Sequence, residues 1–198
     1  MVFMILLLLV LTTGYMFWPR SPVDLSRGDA MDSAGLYARW SAGDVIVVVR
    51  HAERCDRSSN QCLGPADGIT QYGSRVSADV GSSLGALGLE QTDVITSPAT
   101  RTAQTAFYMF GHAVQTQDWL YDCEKFDMNQ IAAHKTSHHN LVLVTHSGCI
   151  GQLEKQQGYP HSDMSEYDSA LFIAPDAQGH LRILGKLNPE SWKQIAKR

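Results

Sequence analysis

The chain has 198 residues, 44% of them hydrophobic and 18% charged, and a formal net charge of −4. This length suits one domain with a single substantial core and argues against a second domain. The composition is that of a globular protein, and the negative net charge gives no bulk electrostatic reason to expect nucleic acid as a partner. Any anion site must therefore concentrate positive charge locally.

Residues 1–18 form an apolar run without a charged side chain. As a helix this run would be about 27 Å long, close to the roughly 30 Å hydrocarbon thickness of a bilayer. It lacks the basic start and the small-residue cleavage site of a standard signal peptide. We therefore expect an uncleaved signal anchor rather than a buried N-terminal helix, with Tyr15 and Trp18 at the membrane interface. Residues 19–30 are expected to be a linker, and residues 31–198 the folded domain.

An even number of cysteines follows this export-like segment: Cys55, Cys62, Cys123 and Cys149. In an oxidising compartment two disulfides are expected, and four cysteines allow three connectivities. Cys55 and Cys62 can close a small loop, and we predict the pairs Cys55–Cys62 and Cys123–Cys149. A cytosolic domain would instead keep free thiols, and Arg20 after the apolar run favours a cytoplasmic location. The Cys-x6-Cys spacing does not fit a zinc site.

Apolar runs and helical patterns alternate along the rest of the chain. Strands are expected at 44–49, 93–96 and 141–145, and a hairpin over 170–184 with its turn at 175–179. Thr70 can cap a helix, and Gly88 and Gly111 are stop signals. Helices are expected at 32–40, 71–87, 99–110, 124–136 and 149–157. This alternation predicts an α/β fold, a three-layer sandwich with a mostly parallel sheet.

Basic residues follow each of the three predicted strands within five positions. Arg50 and His51 end the first, Arg101 follows the second, and His146 follows the third. If the strands are parallel neighbours joined by helical crossovers, their carboxyl ends lie side by side at one edge of the sheet. The sequence therefore predicts two arginines and two histidines around one crevice.

This set of side chains suits phosphate chemistry. Arginine forks match phosphate oxygens, and surrounding positive charge favours a neutral histidine, whose ring nitrogen is a nucleophile. Such a histidine could attack phosphorus and form a phosphohistidine. The departing alkoxide then needs a proton from a carboxylic acid, for which Glu124 is the first candidate by chain order and Asp122 the second.

Other polar residues have simpler interpretations. We expect Ser97 to be a helix cap. Arg54 and Arg57 could bind a second anionic group or simply be solvated, and Glu53 is equally ambiguous. The remaining histidines show no ligand spacing and are expected at the surface: His112, His134, His138, His139, His161 and His180.

Three motifs together resemble the histidine phosphatase superfamily. They are Arg-His-Ala-Glu at 50–53, Ser-Pro-x-x-Arg-Thr at 97–102 and Val-Thr-His at 144–146. The resemblance spans about residues 44–184 and departs from the usual Arg-His-Gly at Ala52. It implies a phosphoglycerate-mutase-like fold, His51 as nucleophile, Arg50 and Arg101 as phosphate ligands, and His146 completing the pocket, without a metal or cofactor.

Within that superfamily, residues 50–63 and 68–70 resemble the lipopolysaccharide core heptose(II)-phosphate phosphatases, which are small periplasmic proteins of Gram-negative bacteria. Cys123 and Cys149 also fall where that group has cysteines. The resemblance implies a phosphorylated heptose of lipopolysaccharide as substrate and a periplasmic location, exported or anchored in the inner membrane. The alternatives are a phosphatase of phosphohistidine proteins or small sugar phosphates, and a non-catalytic module that binds phosphate or glycans.

Overall fold

The computed structural model describes Met4 and residues 21–195. Its six strands, in chain order, are β1 Ile46–Arg50, β2 Thr92–Thr96, β3 Gln115–Thr116, β4 Asn140–Thr145, β5 Ala170–Pro175 and β6 Leu181–Leu187. The helices are α1 Ala30–Ser33, α2 Leu36–Ser41, α3 Gln71–Gly85, α4 Thr100–Phe110, α5 Met128–His134 and α6 Ser147–Gln156. Short 3-10 segments lie at Cys55–Arg57, Asp118–Leu120 and Pro189–Gln194.

The strands form one sheet in the order β3-β2-β4-β1-β5-β6. The first four of these are mutually parallel, whereas β5 and β6 form the predicted antiparallel hairpin at one side. Strand β1 lies inside the sheet and all its residues are buried, which explains why it has no polar face. The predicted mostly parallel α/β sheet is confirmed.

Alternate residues of β1 pack into two separate cores. Val47 and Val49 face the cluster that includes Val80 of α3, while Ile46 and Val48 face the cluster that includes Ile150 of α6. Because successive side chains of a strand point to opposite faces, helices cover the sheet on both sides. The molecule is therefore the expected three-layer sandwich.

Strand register brings the carboxyl ends of β1, β2 and β4 to one edge. Arg50 of β1 is opposite Thr145 of β4, and Thr96 of β2 is opposite Val144. Strand β5 runs the other way, so its start lies at the same edge, where the Arg50 N–H donates to the Ser169 carbonyl at 2.9 Å. Residues before β5 therefore also reach this edge.

Two helix boundaries agree with the sequence. The Thr70 hydroxyl accepts from the Gly73 N–H at 2.9 Å, so Thr70 caps α3 as predicted, although the helix ends at Gly85 rather than residue 87. Helix α4 ends at Gly111, whose φ of 75° lies in the left-handed region that glycine adopts without strain.

Three predicted helices differ from the structure. The one expected over 32–40 is divided into α1 and α2 at Gly35, where φ is 63°. The one expected over 124–136 begins only at Met128, because Asp127 caps it by accepting from the Gln130 N–H at 2.7 Å. Residues 122–127 instead form a turn. Helix α6 begins at Ser147, two residues before the predicted start.

The structure contains both predicted disulfides, Cys55–Cys62 and Cys123–Cys149. The first closes the loop around the Cys55–Arg57 turn. The second joins the turn before α5 to the first turn of α6, immediately after His146. Each disulfide thus lies next to one of the motifs.

No helix within residues 21–195 is long and apolar enough to cross a membrane. The anchor predicted at 1–18 lies, apart from Met4, outside the described residues. Part of the segment expected to be a linker packs on the sheet instead: Leu25 is buried, and its N–H donates to the Lys186 carbonyl of β6 at 2.9 Å. The packed structure therefore starts before residue 31, since burying Leu25 favours docking of this segment.

Candidate active site

Arg50, His51, Arg101 and His146 meet at the carboxyl edge of the sheet. The rings of His51 and His146 have centroids 5.5 Å apart. Arg101 Nη2 lies 3.3 Å from His146 Nδ1, and the His51 N–H donates to the Thr145 carbonyl at 2.9 Å. The structure thus brings together the four residues that the three strand ends supply.

His51 has one ring nitrogen fixed as a donor. Its Nδ1 lies 2.8 Å from the Ala52 carbonyl oxygen, which can only accept, so Nδ1 carries the proton and Nε2 keeps its lone pair. The side chain is 4% exposed. Burial, with smaller contributions from neighbouring positive groups, lowers the pKa of His51 to about 3. At neutral pH this imidazole is uncharged and nucleophilic at Nε2.

His146 is held by both ring nitrogens. Arg101 Nη2 can only donate, so His146 Nδ1 accepts from it, and His146 Nε2–H donates to Ser97 Oγ at 3.0 Å. Burial, together with the charges of Arg101 and Arg54, lowers the pKa of His146 to about 4. The ring is therefore neutral and fixed in orientation before a phosphate enters.

Arg50 and Arg101 each keep a guanidinium donor that has no hydrogen-bond partner among the described residues. Arg50 Nη1 donates to the Ser165 carbonyl, and the Arg50 guanidinium carbon lies 3.9 Å from the centroid of the Tyr167 ring. Yet Arg50 Nε and Arg101 Nε are buried without a hydrogen-bond partner in the part of the chain that the structure describes. An unpaired buried donor is costly unless something accepts from it. Phosphate oxygens match this need.

The two loop arginines lie farther out. Arg54 is half-buried, and its Nε donates to Asp56 Oδ1 at 2.8 Å, an ion pair that raises the pKa of Arg54. Arg57 is exposed at the end of the same 3-10 turn. Arg54 still lowers the pKa of both His146 and Arg101, so its charge reaches the site. A role for Arg54 or Arg57 in binding a second anion stays a prediction.

Neither candidate acid contacts the four central residues. Glu124 is exposed in the turn before α5 and makes no hydrogen bond or ion pair with the described residues. The Asp122 carboxylate pairs with Lys125 at 3.2 Å. Glu53 lines the same cleft as Arg50. The proton donor stays a prediction.

Several site residues were not predicted from the sequence. Ser97 is not the helix cap, since Ala99 occupies that position, and its hydroxyl instead accepts from His146. The ring of Tyr121 lies edge-on to His146 with centroids 5.5 Å apart. Thr105 Oγ1 accepts from the Ala52 N–H at 2.9 Å and so fixes the backbone beside His51. For these residues the sequence offered one signal, the position of Ser97 directly after the predicted strand 93–96.

The segment before β5 supplies a further group. Tyr167 lies 5.7 Å from the His51 ring centroid and covers Arg50. The Asp168 N–H donates to the Arg50 carbonyl at 3.2 Å, and its side chain is fully buried. The sequence predicted the hairpin of β5 and β6 but not the antiparallel pairing of β5 with β1 that brings these residues to the carboxyl edge of the sheet.

None of the other six histidines is fully buried. His139 is half-buried, and the remaining five are exposed, as expected: His112, His134, His138, His161 and His180. Within the described residues, no three His, Cys, Asp or Glu side chains are placed to hold a metal ion.

Sequence relatives exist for part of the chain. No family model matches it. It is 33% identical over 116 residues to the lipopolysaccharide core heptose(II)-phosphate phosphatases of Escherichia coli strains K12 / DH10B and SE11. The match covers 57% of this chain and 58% of each relative, which is less than two thirds of their length.

Solved structures match a larger share of the chain. The protein histidine phosphatase SixA complexed with tungstate has a TM-score of 0.56 at 16% identity, covering 73% of this chain and 97% of that one. The chain has the histidine phosphatase fold. A phosphoglycerate mutase from Bacillus anthracis str. Sterne has a TM-score of 0.55 at 14% identity, covering 79% of this chain and 99% of that one. The resemblance seen in the sequence is confirmed.

Proposed function

We propose that the protein is a phosphatase that hydrolyses a phosphomonoester through a phosphohistidine at His51. The observation that carries this proposal is the His51–Ala52 hydrogen bond, which leaves a neutral Nε2 beside two arginines with unpaired donors. A nucleophile next to unsatisfied cationic donors suits attack on a phosphate.

In the proposed first step, His51 Nε2 attacks phosphorus in line with the ester oxygen. The P–N bond forms as the P–O bond breaks, while Arg50 and Arg101 hold the phosphate oxygens as charge redistributes. The leaving oxygen takes a proton from a carboxylic acid or from water. In the second step water attacks phosphorus, the P–N bond breaks, and inorganic phosphate leaves with His51 restored.

A trapping experiment tests this mechanism. The wild type is incubated with labelled phosphomonoester and quenched, and we expect base-stable, acid-labile label on the protein. His51→Ala should remove both label and turnover, whereas exchange of an exposed histidine, His112→Ala, should leave both unchanged. Wild type without label, or undiminished turnover in His51→Ala, would contradict the mechanism.

We further propose that the substrate is a phosphorylated heptose of the lipopolysaccharide core. The matching relatives are named for that activity, and the long loop from Arg50 to Leu63 that resembles theirs lies beside the phosphate site. The test compares phosphate release from purified lipopolysaccharide with release from a panel of small phosphomonoesters. Turnover of the small esters with no release from lipopolysaccharide would exclude this substrate.

A phosphohistidine protein is the second candidate substrate. It is favoured by the exposed position of Glu124, because breaking a P–N bond needs less help from an acid than expelling an alkoxide. Glu124→Gln and Asp122→Asn should then leave the rate unchanged on phosphohistidine peptide. A loss of about 100-fold on the sugar phosphate in either variant would instead support the ester substrate and identify the acid.

We propose a periplasmic location, with residues 1–18 as an inner-membrane anchor. The two disulfides support an oxidising compartment. Protease added to spheroplasts should degrade the full-length protein, and removal of residues 1–18 should abolish its membrane fraction. Four free thiols in freshly isolated protein, or full protection from protease, would contradict this location.

A further inference from the structure

A cleft of about 400 Å³ opens beside Arg50, a size typical of small-molecule sites. Its walls come from the first turns of α3 and from the segment before β5, including Tyr72, Val76, Met164 and Tyr167. Tyr167 joins this cleft to the phosphate site, since its ring lies 5.7 Å from His51 and 3.9 Å from the Arg50 guanidinium. We call it the Tyr72 cleft.

The apolar side chains of the Tyr72 cleft are not core residues. Tyr72 is 51% exposed and Met164 is 74% exposed. Large apolar groups that are exposed next to one another on a protein surface often mark a binding site. A sugar ring has apolar C–H faces and a polar rim, so an exposed aromatic face beside polar groups is a suitable wall for it.

Two carboxylates, those of Glu53 and Glu166, line the same cleft. Glu53 accepts from Asn60 Nδ2 at 3.0 Å, and Glu166 Oε1 accepts from Asn188 Nδ2 at 3.4 Å. Each carboxylate has lone pairs left for hydroxyl groups, since an ionised carboxylate accepts about four hydrogen bonds. Arg50 also lines the cleft, but in the proposed reaction its charge is matched by the phosphate, so Glu53 and Glu166 are left to repel a second negative charge on the ligand.

We propose that the Tyr72 cleft takes the leaving group of the phosphomonoester and selects an uncharged, polyhydroxylated group over an anionic one. This inference rests on the proposed phosphatase function and adds the chemistry of the group to which the phosphate is attached. It concerns the part of the substrate beyond the phosphate, and of the four central residues Arg50 lines this cleft.

Two six-carbon phosphate esters, of which only one carries a carboxylate, test the charge selection. Glucose 6-phosphate and 6-phosphogluconate have the same number of carbon atoms, and we expect kcat/KM to favour the first by about tenfold or more. Glu166→Gln should narrow this ratio severalfold by raising turnover of the anionic substrate. Glu90→Gln, at an exposed position outside the cleft, is the matched control and should keep the ratio.

Removal of the Tyr72 ring tests whether a sugar ring packs against it. Tyr72→Ala should raise KM for glucose 6-phosphate about fivefold to tenfold, and leave KM for acetyl phosphate, which is too small to reach the ring, unchanged. Phe107→Ala removes another exposed aromatic side chain, 46% exposed on α4, and should change neither constant. Because both residues are about half exposed, both variants are expected to fold.

The outcomes separate the two proposals. If the wild type hydrolyses acetyl phosphate and both sugar phosphates equally well, and Tyr72→Ala and Glu166→Gln change nothing, the cleft assignment is overturned while the phosphatase function stands. If the wild type hydrolyses none of these substrates or lipopolysaccharide, both fall. A preference for glucose 6-phosphate that narrows in Glu166→Gln supports the assignment.

Discussion

The carboxyl group of Asp168 is buried, and the Asp168 N–H donates to the Arg50 carbonyl oxygen. Burial raises the pKa of Asp168 to about 8. Its Oδ1 lies 2.9 Å from Ser77 Oγ, which also lies 3.0 Å from the Gly73 carbonyl. One hydroxyl proton serves one acceptor, so a protonated Asp168 that donates to Ser77, while Ser77 donates to Gly73, satisfies all three groups. We therefore expect the acid to be mostly neutral at pH 7.

Replacement of Asp168 by its neutral analogue tests this protonation state. Asp168→Asn keeps a donor toward Ser77 and tolerates the local φ of 58°, so its free energy of unfolding should lie within about 1 kcal/mol of wild type near pH 4 and above wild type at pH 7. Asp168→Ala loses the bond and should be about 2–3 kcal/mol less stable than Asp168→Asn. Urea unfolding measures both.

The pH dependence has a definite sign. Between about pH 4 and 8 the unfolded chain gives up the Asp168 proton and the folded protein keeps it, so wild type should lose stability relative to Asp168→Asn as pH rises. An asparagine variant as unstable as the alanine variant, or a pH-independent difference, would show that Asp168 is ionised.

The titration of His51 should change the free energy of unfolding with pH in the opposite direction. Its folded pKa of about 3 lies below the ordinary value of 6.5, so the unfolded state binds the proton first as pH falls. Wild type should therefore lose about 2 kcal/mol more stability than His51→Gln between pH 7 and 5. Urea unfolding at several pH values measures this, with His112→Gln as an exposed control. Parallel curves for wild type and His51→Gln would contradict it.

At the scale of elements, the contact between α3 and α4 positions two sides of the site. Helix α3 begins beside Ala52 and Glu53, and α4 carries Arg101 in its first turn. The two helices touch backbone to backbone at Gly81, where a Cβ would lie 1.8 Å from the Met109 carbonyl oxygen. No side chain fits there, so the glycine determines how closely the helices approach.

Two alanine substitutions in α3 test this contact. Gly81→Ala must push the helices apart and should cost about 2–3 kcal/mol of unfolding free energy, because backbone cannot move aside as a side chain can. Gly85→Ala is the matched control, since a Cβ there meets nothing within 4 Å. The control should be neutral or stabilise by up to about 1 kcal/mol. Equal effects in urea unfolding would contradict the packing argument.

At the scale of the whole molecule, the sequence predicts the sheet better than its surroundings. Buried parallel strands are continuous apolar runs, so β1 and β4 and the basic residues after them were predictable, while the Val94-Ile95 pair indicated β2. The polar turns around Asp122 and Tyr167 have no periodic pattern, and their positions depend on a disulfide and on the reversed strand β5. For this reason Tyr121, Tyr167 and Asp168 were missed, and the acid was assigned by chain order alone.

The two disulfides should contribute unequally. Cys123–Cys149 spans 26 positions and Cys55–Cys62 spans 7, so loop entropy predicts losses of about 3.5 and about 2.5 kcal/mol when each pair is changed to serine. Loss of Cys123–Cys149 should also lower kcat more, because it frees the turn that carries Tyr121 against His146. Unfolding and turnover of the two double variants measure this. Equal kcat in both would contradict the positioning argument.

The hairpin of β5 and β6 should delay the formation of the site during folding. Arg50 contacts Ser165, 115 positions later in the chain, and β1 pairs with both β4 and β5. Such distant pairings form slowly, because a long loop must close before they contribute stability. We expect an amino-terminal fragment that lacks residues 165–187 to leave the Arg50 contacts with Ser165 and Tyr167 unmade, so the crevice should be complete only after the last hairpin docks.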